Sequence, residues 1–102
     1  MTHAYFCDVD ELHSFLSGLH SRFGLPIWLT EFHCGNRPGP GRPNHTAADH
    51  LRYMKAALPL LDSLSYVERY AWMSVDSQFV PACRLEDGDG RLTELGRAYI
   101  SL

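Results

Sequence analysis

The chain has 102 residues, enough for one small domain with a real core, and its 45% apolar and 21% charged content is that of an ordinary globular domain rather than a disordered one. Nine Lys plus Arg against twelve Asp plus Glu give a net charge of −3, which supplies no basic patch for nucleic acid or an anionic membrane. No run approaches membrane-spanning length, and the stretch from Thr2 to Cys7 has neither the cationic start nor the apolar core of a signal peptide.

The chain opens with an extended stretch over Thr2 to Phe6. Asp8, with Glu11 at the third position after it, then predicts a capping box at the start of a helix. Leu12, Phe15, Leu16, Leu19 and Phe23 recur at helical spacing, and Gly24 suits the C-terminal cap. The first strand and helix are thus expected within residues 2–24.

Residues 25–32, Leu25-Pro26-Ile27-Trp28-Leu29-Thr30-Glu31-Phe32, form an almost unbroken apolar run that ends on a single carboxylate. Such a run reads as a strand buried on both faces, as in a parallel sheet. Simple alternation would put Ile27, Leu29 and Glu31 on one face and Trp28, Thr30 and Phe32 on the other. A charge at the C-terminal end of such a strand fits the place where parallel α/β sheets and barrels build ligand sites, unless the strand frays early and Glu31 meets water or an Arg.

Residues 33–45 hold Gly35, Pro38, Gly39, Pro40, Gly41 and Pro43 and predict a long loop of the kind that carries function. Thr46 can cap a second helix within residues 46–64, with Asp49 in its first turn. Leu51, Met54, Leu58 and Leu61 supply its buried stripe, and Pro59 is expected to kink or end it. A third strand is expected over 66–75, with Tyr66, Glu68, Tyr70, Trp72 and Ser74 on one face. A turn at Asp87-Gly88-Asp89-Gly90 precedes a final helix over 93–101 capped by Thr93. The order strand, helix, strand, helix, strand, helix is that of a parallel sheet with right-handed crossovers. Three such strands leave two open edges, which a fragment of a larger α/β domain explains.

Three cysteines, Cys7, Cys34 and Cys83, match no zinc spacing, so buried or free thiols are the default. Cys7 and Cys34 can pair in an oxidising compartment if they sit in loops after neighbouring strands. Among the six histidines, His13 and His20 lie two turns apart on a polar helix face and read as solvated surface. His33 and Cys34, with His3 and Cys7 brought near Glu31, are candidates for a ligand cluster, weighed against loop packing and substrate contacts. The Asp87 loop lacks the Glu a calcium loop carries at its twelfth position, which here is Ala98. No cofactor and no metal is expected.

Carboxylate plus aromatics is the stronger constellation. If the strands are parallel neighbours, His3, Tyr5 and Trp72 reach the rim where Glu31 emerges. A pyranose stacks its apolar face on an aromatic ring while carboxylates carry out the bond cleavage. For Trp72 a purely core role is the competing reading.

Three segments carry a family resemblance. They are the Leu25 to Phe32 run, Tyr66-Val67-Glu68-Arg69-Tyr70-Ala71-Trp72, and Asp89-Gly90-Arg91-Leu92-Thr93-Glu94-Leu95-Gly96-Arg97-Ala98-Tyr99. In order and spacing they resemble successive motifs of the glycosyl hydrolase catalytic-core family of the alkali-sensitive-linkage type, and His3-Ala4-Tyr5 resembles its motif at the end of the sixth barrel strand. The resemblance implies a (β/α)8 barrel and a retaining β-1,3-glucanase. This chain would then supply the C-terminal part, from the end of strand six through strands seven and eight to the final helix, as an incomplete barrel. It implies Glu31 as nucleophile, Trp72 as the floor of the cleavage subsite, and His3, Tyr5 and His33 as substrate-binding neighbours. Met73, where the family often has Phe, departs mildly. The implied partner is a β-glucan polysaccharide, and the implied location is secreted or in the cell wall.

The larger departure is an absence. Retaining glycosidases need two carboxyl groups about 5 to 5.5 Å apart, and the family's acid/base lies on a strand this chain does not have. Glu68 would lie about 13 Å below Trp72 at the usual strand rise, and Asp8, Asp10 and Asp76 are loop candidates with little support. A full barrel takes about 250 residues. Alone the chain is therefore expected to be inactive. The alternatives are a non-catalytic carbohydrate-binding module and a truncated gene product.

Overall fold

The computed structural model describes residues 1–35, 44–75, 80 and 82–102. Strands β1 (Thr2–Ala4), β2 (Ile27–Phe32) and β3 (Val67–Trp72) form one parallel sheet in the order β1-β2-β3. Helices α1 (Val9–Phe23) and α2 (Ala47–Ser63) cross between successive strands, and α3 (Glu94–Ser101) closes the chain. α1 touches α2 and α2 touches α3, so all three helices lie on one side of the sheet. The result is a slab of 41 × 34 × 19 Å with helices on one face and an open sheet on the other. No helix among the described residues is long and apolar enough to cross a membrane.

Local chemistry sets the helix ends. Asp8 accepts from the amides of Asp10 and Glu11 at the start of α1, and Gly24 ends it with a left-handed φ of 65°. The reciprocal capping box expected there occurs, among the described residues, at α2: Thr46 Oγ1 accepts from Asp49 N while Asp49 Oδ2 accepts from Thr46 N. Pro59 does not end α2, which runs four residues beyond it to Ser63. α3 is docked by its cap residue, because Thr93 Oγ1 donates to Arg84 O and Thr93 N donates to Leu85 O.

The core lies between sheet and helices and gathers Leu12, Leu16, Leu29, Phe32, Met54, Leu58, Leu61 and Trp72. Two expectations about strand faces are corrected here. β2 is covered on one face only, since Leu29 is fully buried while Trp28 is 50% exposed. Alternation also breaks within it. From Leu29 to Phe32 is a step of three residues, opposite a step of two on both neighbours, Thr2 to Ala4 and Tyr70 to Trp72. One extra residue therefore bulges out of β2 at Thr30 and Glu31. The bulge keeps Ile27, Leu29 and Phe32 in the core and turns Glu31 away from the face it was expected to share with Ile27 and Leu29.

A second irregularity sits in β3, where Val67 to Arg69 opposes Ile27 to Trp28. Val67, Tyr70 and Trp72 consequently pack toward the helices, and the Tyr70 hydroxyl donates to Asp62 of α2. Glu68 is exposed on the opposite face, accepting from Trp28 Nε1 at 2.9 Å, and so does not share a face with Trp72 as simple alternation required.

Candidate active site

The register line Ala4, Phe32 and Trp72 brings the C-terminal ends of all three strands to one rim. Glu31 stands on that rim, and two side chains from β1 and the residue after it converge on one of its oxygens. The Tyr5 hydroxyl donates to Oε2, and His3 Nδ1 lies 3.3 Å from the same atom. The carboxylate is partly exposed, with 30% of its side chain open to solvent. Donating to a carboxylate stabilises the neutral phenol, which pushes the Tyr5 pKa up to about 12 from its ordinary 10.

His33 follows β2 directly and is buried. Its Nδ1 accepts from Gly35 N at 2.7 Å, which leaves the proton of the neutral ring on Nε2. Burial holds its pKa below the ordinary histidine value, and the Glu31 carboxylate opposes that shift only in part. The Tyr5 and His33 rings sit 4.9 Å apart. Gly35 makes this approach possible. It has φ 74°, and a Cβ there would stand 3.1 Å from Tyr5 Cβ and 3.2 Å from Tyr5 O. An open groove lined by Tyr5, His33, Gly35, Met73 and Val80 runs along the rim.

Trp72 lies beneath the rim. Only 6% of the residue is exposed; its Nε1 donates to Cys83 O at 2.8 Å, and Phe32, His33, His50 and Tyr53 ring it at centroid distances of 5.2 to 6.4 Å. The indole supports the rim from beneath. Sequence reasoning missed His50 and Tyr53 in this support. His50 Nδ1 accepts from Cys34 N at 3.4 Å, while burial, with His33 and His45 nearby, lowers its pKa to about 4.

A disulfide joins Cys7 to Cys34, overturning the default of free thiols for this pair, whereas Cys83 is free and buried. It ties the loop after β1 to the loop after β2, immediately behind Tyr5 and His33. Among the described residues, the potential ligand side chains that come close together are Cys7, Cys34 and His45, two of them joined in the disulfide, rather than the His3, Cys7, His33 and Cys34 set anticipated near Glu31. Asp8 and Asp10 are committed to the start of α1, and Asp76, like residues 36–43 of the expected functional loop, lies outside the described residues. Among the described residues, no second carboxylate is hydrogen-bonded or ion-paired into the Glu31 cluster.

Residues 1–99 match the family described as glycosyl hydrolase catalytic core. Alkali-sensitive linkage protein 1 of Schizosaccharomyces pombe is 37% identical over 109 residues, an alignment covering 97% of this chain and 19% of that protein. An endo-β-1,3-glucanase of Amycolatopsis mediterranei, solved with laminarihexaose, superposes with a TM-score of 0.81 at 30% identity, over 97% of this chain and 42% of that one. An exo-β-1,3-glucanase of Cryptococcus neoformans superposes with a TM-score of 0.78 at 28% identity, over 96% and 40%. Both structures are from glycoside hydrolase family 128. The chain thus spans about a fifth of the curated relative and about two fifths of these solved relatives. By its sequence match and its three-stranded parallel α/β architecture, this chain belongs to the glycosyl hydrolase catalytic-core family.

Proposed function

We propose that the chain is the C-terminal part of a (β/α)8 barrel, from the end of strand six to the final helix, that hydrolyses β-1,3-glucan with retention, and that Glu31 is its nucleophile. The single observation that carries this reading is the bulged end of β2, which turns Glu31 out of the core and into the hydroxyl of Tyr5. A carboxylate held at Oε2 by the Tyr5 hydroxyl, with His3 Nδ1 3.3 Å away, is fixed in orientation before substrate arrives, which is what an attacking group needs. In the first half of the reaction Glu31 attacks the anomeric carbon and forms a glycosyl ester as the leaving oxygen takes a proton. Water then opens the ester. His3 and Tyr5 orient the nucleophile, His33 borders the groove as a neutral ring, and Trp72 holds the floor from below.

Proton delivery to the leaving oxygen requires a second carboxyl group, and the described residues bring none to Glu31. Alone, the chain folds around half of a catalytic pair and does not turn over glucan. A secreted or cell-wall setting agrees with the Cys7–Cys34 disulfide and with the wall-linkage name of the yeast relative.

The test is reducing-sugar release from soluble β-1,3-glucan, measured for the 102-residue chain and for a chimera in which it replaces the matching portion of a complete family glucanase. The isolated chain is expected to be folded by circular dichroism and inactive. The chimera is expected to be active and to lose activity on the order of 1,000-fold or more on Glu31→Gln. Residual activity within tenfold of the parent would overturn the assignment of Glu31. The lone carboxylate also favours a second reading, in which the chain binds glucan without cleaving it. Glucan affinity that survives Glu31→Gln, in a chimera without turnover, would establish that alternative.

A further inference from the structure

We propose that Asn44 is an acceptor for an N-linked glycan. Asn44-His45-Thr46 has the order this modification needs, an asparagine followed by a residue other than proline and then by a hydroxyl. The other asparagine of the chain, Asn36, is followed by Arg37 and Pro38 and has no hydroxyl at the third position. Asn44 and Thr46 are both exposed, and they lie in irregular chain immediately before α2, where Thr46 has an extended backbone with φ −82° and ψ 169°. The Cys7–Cys34 disulfide points to the same compartment, since disulfides form and persist in the oxidising secretory lumen where such glycans are added. The inference rests on the secreted or cell-wall setting proposed above, but not on glucan cleavage.

In the transfer, Asn44 Nδ2 attacks the anomeric carbon of a lipid-pyrophosphate-linked oligosaccharide. The new nitrogen–carbon bond replaces the sugar–phosphate bond, one amide proton is lost, and the lipid pyrophosphate leaves. The Thr46 hydroxyl serves twice. It makes the sequence an acceptor in the unfolded chain, and once α2 forms its oxygen accepts from Asp49 N at 3.1 Å as the helix cap. Transfer therefore precedes the closing of α2. The attachment point also suits the folded molecule. All three helices lie on one side of the sheet, and in a (β/α)8 barrel the helices form the outer ring, so a glycan just ahead of α2 stays in solvent when the open face of the sheet is covered. Residues 44–46 do not line the groove beside Glu31, so the glycan is attached outside it.

The test is cell-free translation of the full chain behind a cleavable secretory leader, with endoplasmic-reticulum microsomes and a second acceptor sequence appended after Leu102 to report entry into the lumen. The wild-type chain is expected to gain two glycans, read as two mobility steps that endoglycosidase H reverses. Asn44→Gln and His45→Pro should each lose one step, while Thr46→Ser, which keeps the hydroxyl, should retain both. A wild-type chain that reaches the lumen with one glycan, or a second step that survives Asn44→Gln, would overturn the site. Neither result bears on Glu31, because the leader supplies the lumenal setting and no glucan is cleaved.

Discussion

Tyr5 and Glu31 form a donor–acceptor pair whose strength can be read from the phenol. The hydrogen bond to the carboxylate is the main cause of the raised Tyr5 pKa, with burial and the carboxylate's charge adding to it. Glu31→Gln removes the charge, so the Tyr5 midpoint is expected to fall from about 12 toward 10 in an alkaline ultraviolet titration. Unchanged midpoints would mean that the pair does not persist in solution. Because the folded-state pKa lies above the unfolded one, the pair's stabilisation is complete below pH 10 and is lost as pH rises through about 12. Wild-type stability should therefore drop more steeply over that interval than that of Glu31→Gln. Glu31 itself was legible in the sequence because a charge closing a buried apolar run is conspicuous. His50 was not, since a histidine in the first turn of α2 carries no sign that its ring will take the amide of Cys34 sixteen residues earlier.

At the scale of elements, periodicity located the strands and helices but not their irregularities. A bulge has no signature in a two-residue repeat, and the one in β2 reversed the expected facing of Glu31. The disulfide was open for a similar reason, since pairing depends on where two loops meet and not on their composition. α3 provides a quantitative test of how one element docks. Gly96→Ala gains about 1 kcal/mol of helix propensity, but its Cβ would stand 1.9 Å from the Leu85 carbonyl oxygen and 2.9 Å from its carbon. Backbone cannot yield as a side-chain tip does, so the clash outweighs the gain and a net loss of about 2 kcal/mol is expected in urea denaturation. A stabilised variant would show that the first turn of α3 is not seated on Leu85.

For the molecule as a whole, the two faces of the sheet are unequal, and adjacent residues of β2 should reveal it. Leu29 is fully buried under the helices, so Leu29→Ala is expected to cost about 3 kcal/mol. Trp28 is half exposed on the open face, where Trp28→Lys should leave stability within about 0.5 kcal/mol and reduce any self-association seen by sedimentation. Comparable losses at both positions would mean that the open face is covered in solution. The sequence suggested an incomplete sheet from its strand count, yet it read β2 as doubly covered, because an apolar run looks the same whether its second layer is present or supplied elsewhere.

The Cys7–Cys34 bond also gives the chain a topology. With a sequence separation of 27, it closes a ring that contains the whole of α1 and β2, while β3 and both later helices hang from it as a tail. A protease that cuts after Arg22, at the exposed end of α1, would open this ring without dividing the molecule. The two pieces would part only when the sulfurs do, so for this stretch the continuity of the rim outlasts the continuity of the backbone.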